Sequence, residues 1–71
     1  MKKIKQYKYS EIIKKILERR ETQIEVSQML GITVIAFRKK LDGKTEWKIS
    51  EIKMLCEHFK TGFNKLFKTE D

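Results

Sequence analysis

Apolar residues recur along this chain in short groups spaced three or four apart, the period of one helix face. Ile13, Ile16 and Leu17 form a first stripe, with Ile12 at its edge. Val26 and Leu30 form a second, and Phe37 and Leu41 a third. Ile52, Leu55, Cys56 and Phe59 fall at i, i+3, i+4 and i+7, the cleanest amphipathic stripe in the chain. Phe63, Leu66 and Phe67 make a last short one. Polar residues punctuate these stripes. Ser10 is placed to cap the first helix, Glu11 sits at its positive end, and Arg19 and Arg20 close it at the negative end. Thr22 with Glu25 forms a capping box for the second helix, and Thr33 caps the third. Gly31 ends the second helix in a left-handed conformation, with Ile32 tucked under the turn, and Asp42-Gly43 stops the third. Ser50 caps the fourth helix and Thr61-Gly62 breaks it. The pattern predicts an all-α domain of five helices over residues 9–67, with an arm at 1–8 and a tail at 68–71.

The centre of this pattern, Thr22 to Lys44, is two short helices joined by a sharp glycine turn. Ser27, a small residue, allows close approach where they cross. The segment resembles the helix-turn-helix of phage Cro and repressor proteins. The residues that carry the likeness are Thr22, Gln23, Ser27, Leu30, Gly31, Ile32, Thr33, Phe37, Asp42 and Gly43. Each has a separate physical job at a fixed spacing. Two positions depart from the family's pattern: Ser27 replaces the commoner alanine, and Lys40 stands where many members are apolar, with Leu41 taking its place. The later Trp47, Glu51 and Ile52 resemble a small branch of phage regulators. The resemblance spans about Tyr9 to Phe67. It implies a compact five-helix, lambda-repressor-like domain with its helix-turn-helix in helices 2 and 3. It also implies a Cro/repressor-like regulator of transcription, of phage or prophage origin.

Composition narrows the function. The 71 residues make one domain, with hydrophobic content of 39% and charged content of 38%. A chain this short buries only about 60% of its unfolded surface, so its core is small. The net charge of +7 favours polyanions, nucleic acid first. Residues 1–20 carry eight Lys/Arg against two acids, residues 32–48 five against two, and residues 49–71 four against four. The surplus thus falls on the arm, the first helix and the surroundings of the third, as a one-sided DNA binder requires. Lys2, Lys3, Lys5 and Lys8 make the arm either a phosphate or minor-groove contact or a solvated terminus.

On the third helix, 100° per residue puts Ile35 and Lys39 opposite the core residues Phe37 and Leu41, with Val34, Ala36 and Arg38 on the flanks. Thr33, Val34, Ile35, Arg38 and Lys39 are the base-reading candidates. Arg38 leads them, because a guanidinium can grip guanine O6 and N7 bidentately. Val34 and Ile35 either meet thymine methyls in an A·T-rich target, or Val34 tilts into the core and Ile35 stands in solvent. The phosphate candidates are Gln23, Lys44 and Lys48. The role of Gln23, a phosphate bond that braces the third helix, is implied by the resemblance. Trp47 is expected to plug the space between its loop and the last helices, its N–H on a carbonyl; base stacking is the alternative.

The partner expected is a double-stranded DNA operator, read by a weak or DNA-dependent homodimer. The chain stops soon after the fifth helix, so the dimer is expected to use the domain itself, through Phe63, Leu66 and Phe67. A competing function on the same fold is a protein-interaction module, an antitoxin or anti-repressor using Ile24, Met29, Val34 and Ile35. No catalytic constellation, cofactor or metal site is expected: the chain has one cysteine and one histidine, and Cys56 lies on a core stripe. With no apolar run of about 20 residues and no signal-peptide core, the chain is expected in the cytoplasm and off the membrane.

Overall fold

The computed structural model describes residues 7–69. They form five helices: α1 (Ser10–Glu18), α2 (Gln23–Leu30), α3 (Val34–Leu41), α4 (Ile49–Phe59) and α5 (Phe63–Leu66). There is no strand among the described residues. α2 packs on α3, and α5 packs on both α1 and α4. The core is shared by all five: Ile12, Ile16, Val26, Leu30, Phe37, Leu41, Leu55, Phe59, Leu66 and Phe67 are buried.

The central pair forms as its caps dictate. The Thr22 hydroxyl accepts the Glu25 N–H at 3.1 Å while the Glu25 carboxylate accepts the Thr22 N–H at 2.8 Å. Gly31 takes φ 74°, and Thr33 accepts the Ala36 N–H at 3.1 Å to start α3. Ser27 is buried, and its hydroxyl donates back to the Ile24 carbonyl at 2.7 Å. A larger or unpaired polar group there would hold the two helices apart or cost a hydrogen bond.

Helix α1 is turned away from the expected face. Tyr9, not Ser10, precedes it, and the Ser10 hydroxyl has no protein partner. The Tyr9 N–H donates to the Leu41 carbonyl at 3.1 Å, and its ring meets Trp47 and Phe67 edge-on. That anchor sets the helix rotation. Ile12 and Ile16 follow Tyr9 on one face and are buried, Ile13 lies at the edge, and Leu17 is left 69% exposed.

The start of α4 also differs. Lys48, not Ser50, precedes it, and Glu51 reaches back to accept the Lys48 N–H at 2.9 Å. Its end comes one residue early, at Lys60 in the left-handed region, before Thr61-Gly62. Leu55 and Phe59 are buried as expected, with Ile52 and Cys56 half-buried against them. Burial pushes the Cys56 thiol up from its ordinary value, which suits a packing role.

Trp47 fills the space between its loop and the end of the chain. Its ring is met at steep angles by Tyr9, Phe37 and Phe67. The expected carbonyl partner is missing, since the indole N–H has no protein acceptor. Of the expected arm, Tyr7 and Lys8 are packed on the domain. Tyr7 leans on the core, and the Lys8 stem lies across Gly43, 2.7 Å from where a Cβ there would stand. The arm's Lys2, Lys3 and Lys5, and residues 70–71 of the tail, lie outside the described residues.

Candidate nucleic-acid interface

The sequence-predicted residues gather around α3. Ile35, Arg38 and Lys39 are exposed on it, with Ile35 at 65%. Val34 is half-buried, between the two places open to it, and Thr33 is exposed while its side chain caps the helix. Lys44 and Lys48 are exposed at the two ends of the α3–α4 loop. The last turn of α3 carries Arg38, Lys39 and Lys40 and has no acid in its first turn. Cations at the carbonyl end compensate the helix dipole, so α3 holds this charge without local repulsion from its own backbone.

Gln23 and Arg38 meet directly. The Arg38 Nε–H donates to Gln23 Oε1 at 2.8 Å, joining the first turn of α2 to the middle of α3. The two residues line an open groove with Tyr7, Thr22 and Ile24. The bond uses Nε alone, so both terminal nitrogens of the guanidinium keep their donors for another acceptor. A planar cation with two parallel donors suits a guanine edge or a phosphate. The resemblance implied that Gln23 braces the third helix, but sequence reasoning did not foresee Arg38 as the residue it meets, 15 positions on. It also missed Tyr7 as a wall of the groove. No local period marked it, because Lys8 and Tyr9 form a turn into α1 and not an extended segment.

Lys40 leaves this face. It is buried beside Leu41, its Nζ 2.8 Å from Glu51 Oε1 and 3.0 Å from the Glu46 carbonyl oxygen. Leu41 therefore does not take its place; both point inward. Burial pushes the Glu51 carboxyl up, but the Lys40 ammonium and the Lys48 N–H outweigh it and hold the group below its ordinary value.

Of the residues expected at a dimer contact, Leu66 and Phe67 are spent on the domain's own core, and Phe63 alone is exposed, stacked on Phe67 at 5.3 Å. Glu21 and His58 line a separate cavity of about 80 Å³ with Glu25, Val26 and Met29. His58 Nε2 lies 2.8 Å from Glu21 Oε2, and Arg19 donates to the same oxygen at 3.2 Å. Burial raises the Glu21 carboxyl, yet these two partners hold it below its ordinary value. No group of three His, Cys, Asp or Glu among the described residues could hold a metal ion, and no helix among them is long and apolar enough to cross a membrane.

A family model described as the BetR domain matches residues 9–71. No curated protein and no solved structure matches the chain.

Proposed function

The chain belongs to the BetR domain family, and from that premise we propose that it is a sequence-specific double-stranded DNA-binding regulator of transcription, of the phage Cro and repressor type. The observation that carries this is the Gln23–Arg38 bond, which leaves both terminal nitrogens of the guanidinium free on the exposed face of α3, whose other outward residues are Ile35 and Lys39. An α-helix fits the major groove, where an arginine can address guanine. Thr33, Val34, Ile35, Arg38 and Lys39 are the base-facing set. Gln23, Lys44 and Lys48 serve the backbone on either side, and Lys8, held against Gly43, adds a charge at the end of α3. A dimer on two half-sites, about one helical turn apart, completes the arrangement. Its apolar contact falls to Phe63.

About four to six phosphate contacts per subunit give a slope of log K against log salt of roughly −4 to −5. Titration of a selected duplex and a random one at several salt concentrations measures it. Binding that hardly responds to salt would sink the proposal. A second reading rests on Ile24 and Ile35, both more than half exposed on α2 and α3. Two such side chains suit a protein partner, as in an antitoxin or anti-repressor. The same titration separates the two, because a protein-binding face leaves DNA affinity weak and indifferent to sequence.

A further inference from the structure

We propose that Lys40 and Glu51 are positioning residues for the DNA-contacting loop between α3 and α4. Their buried ion pair sets where Lys48 stands relative to α3. This rests on the DNA-binding function above and deepens it.

The pair is costly to bury. Lys40 is 8% exposed and Glu51 3%, and both lose most of their hydration. Well-packed apolar residues of similar size hold a fold as well or better, so stability alone does not account for the pair. Its geometry does something apolar residues cannot. The Lys40 ammonium touches Glu51 Oε1 at 2.8 Å and the Glu46 carbonyl at 3.0 Å, and lies 6.0 Å from the centre of the Trp47 ring. The same Glu51 oxygen accepts the Lys48 N–H at 2.9 Å. Three consecutive loop residues, 46 to 48, are thereby tied to one ammonium and one carboxylate. At the other end the Lys44 N–H closes α3 on the Lys39 carbonyl at 2.9 Å. Both lysines are exposed, and the backbone that carries each is fixed to α3, one by its helix end and one through the pair. Ionic hydrogen bonds are directional, so they hold a register that dispersion contacts leave free to slide.

The test is a double-mutant cycle on the intact chain, read on a random-sequence duplex at several salt concentrations. Lys40→Met with Glu51→Leu removes both charges together and is expected to melt no lower than the wild type. Its salt slope is expected to become shallower by about one unit, the contribution of the Lys48 phosphate contact. In a background already carrying Lys48→Ala, the same pair of changes should alter the slope no further. A slope that stays at the wild-type value, or the same loss in both backgrounds, overturns the inference while leaving the DNA-binding function standing. A wild-type protein without salt-dependent binding overturns both. Should the double variant fail to fold, amide hydrogen exchange on the wild-type chain carries the test: the Lys48 N–H, held by Glu51, is expected to be strongly protected, and exchange at the rate of an open loop amide overturns the inference.

Discussion

Four helices in this molecule end in the same way, and two of them use glycine while two do not. After α2 the Ile32 N–H returns to the Ser27 carbonyl, and after α3 the Lys44 N–H returns to Lys39, with Gly31 and Gly43 at φ 74° and 79°. After α1 the Glu21 N–H returns to Ile16, and after α4 the Thr61 N–H returns to Cys56. There the left-handed residues are Arg20 at φ 56° and Lys60 at φ 52°. The hydrogen bonds are alike, but a Cβ makes this conformation costly. The unstrained closures flank α3, the helix that carries the exposed basic residues. The strained ones lie at the ends of α1 and α4, where a long cation near the carbonyl end offsets part of the cost. The α3 register is thus set by turns that leave little to compromise, while the outer ends tolerate some strain.

The comparison breaks first at Gly31. Gly31→Val should destabilise by about 1–3 kcal/mol in urea or thermal unfolding, all of it from the backbone, since a Cβ there meets nothing within 4 Å. If the variant melts with the wild type, the turn is not left-handed. On the function side, Arg38→Ala should cost about 1–3 kcal/mol on the preferred duplex and little on random DNA, so discrimination collapses. Equal losses on both would make Arg38 a phosphate contact only. Lys44→Ala should weaken both duplexes alike and reduce the salt slope by about one unit. The outer closures should respond in the opposite sense. Lys60→Gly and Arg20→Gly are each expected to stabilise by roughly 0.5 kcal/mol, as relief of strain outweighs the added chain entropy. Their specific DNA affinity should stay within twofold or so of the wild type. Destabilisation by either change would mean that the side chain matters more than the φ angle.

Acid gives the gentlest test. Glu21 and Glu51 both sit below their ordinary value of 4.5 in the folded chain. Their contribution is therefore complete above about 4.5 and is lost as the pH falls through the lower folded values. Melting midpoints should fall at pH values below that range, and Glu51→Gln should flatten the fall.

The glycine closures were legible in the sequence because each residue there has one dominant job: Thr22 and Thr33 cap, Gly31 and Gly43 turn. The basic closures were not, because an arginine or lysine at a helix end reads equally well as dipole compensation. Ser10 and Ser50 misled for a related reason. Serine is a good cap anywhere near a helix start, but Tyr9 was claimed by the distant Leu41 carbonyl and Lys48 by Glu51 three residues on, and those bonds set the boundaries. Lys40 was noticed as out of place, yet its partner lies 11 residues on, and nothing local pointed to a buried pair. Ile12 moved from the edge of the stripe into the core, Ile13 moved out to the edge and Leu17 was left in solvent once Tyr9 fixed the turn of α1. The candidate face on α3 followed from helical period alone, whereas the Gln23–Arg38 contact needed the crossing of two helices.

The aromatic cluster has a consequence for the order in which the protein can take shape during synthesis. Trp47 is gripped by Tyr9 from the start of α1 and by Phe67 from the end of α5, so the two ends of the domain meet on one indole ring. Tyr9 and Phe67 also touch each other. A ribosome that has made α1 to α4 has therefore made a core with one wall missing, and Leu66, the buried residue of α5, has yet to arrive. Nascent chains halted before Leu66 should be cut readily by protease, and those extended past Phe67 and clear of the ribosome should resist. Protection that appears before Leu66 would show that the first four helices close without the fifth.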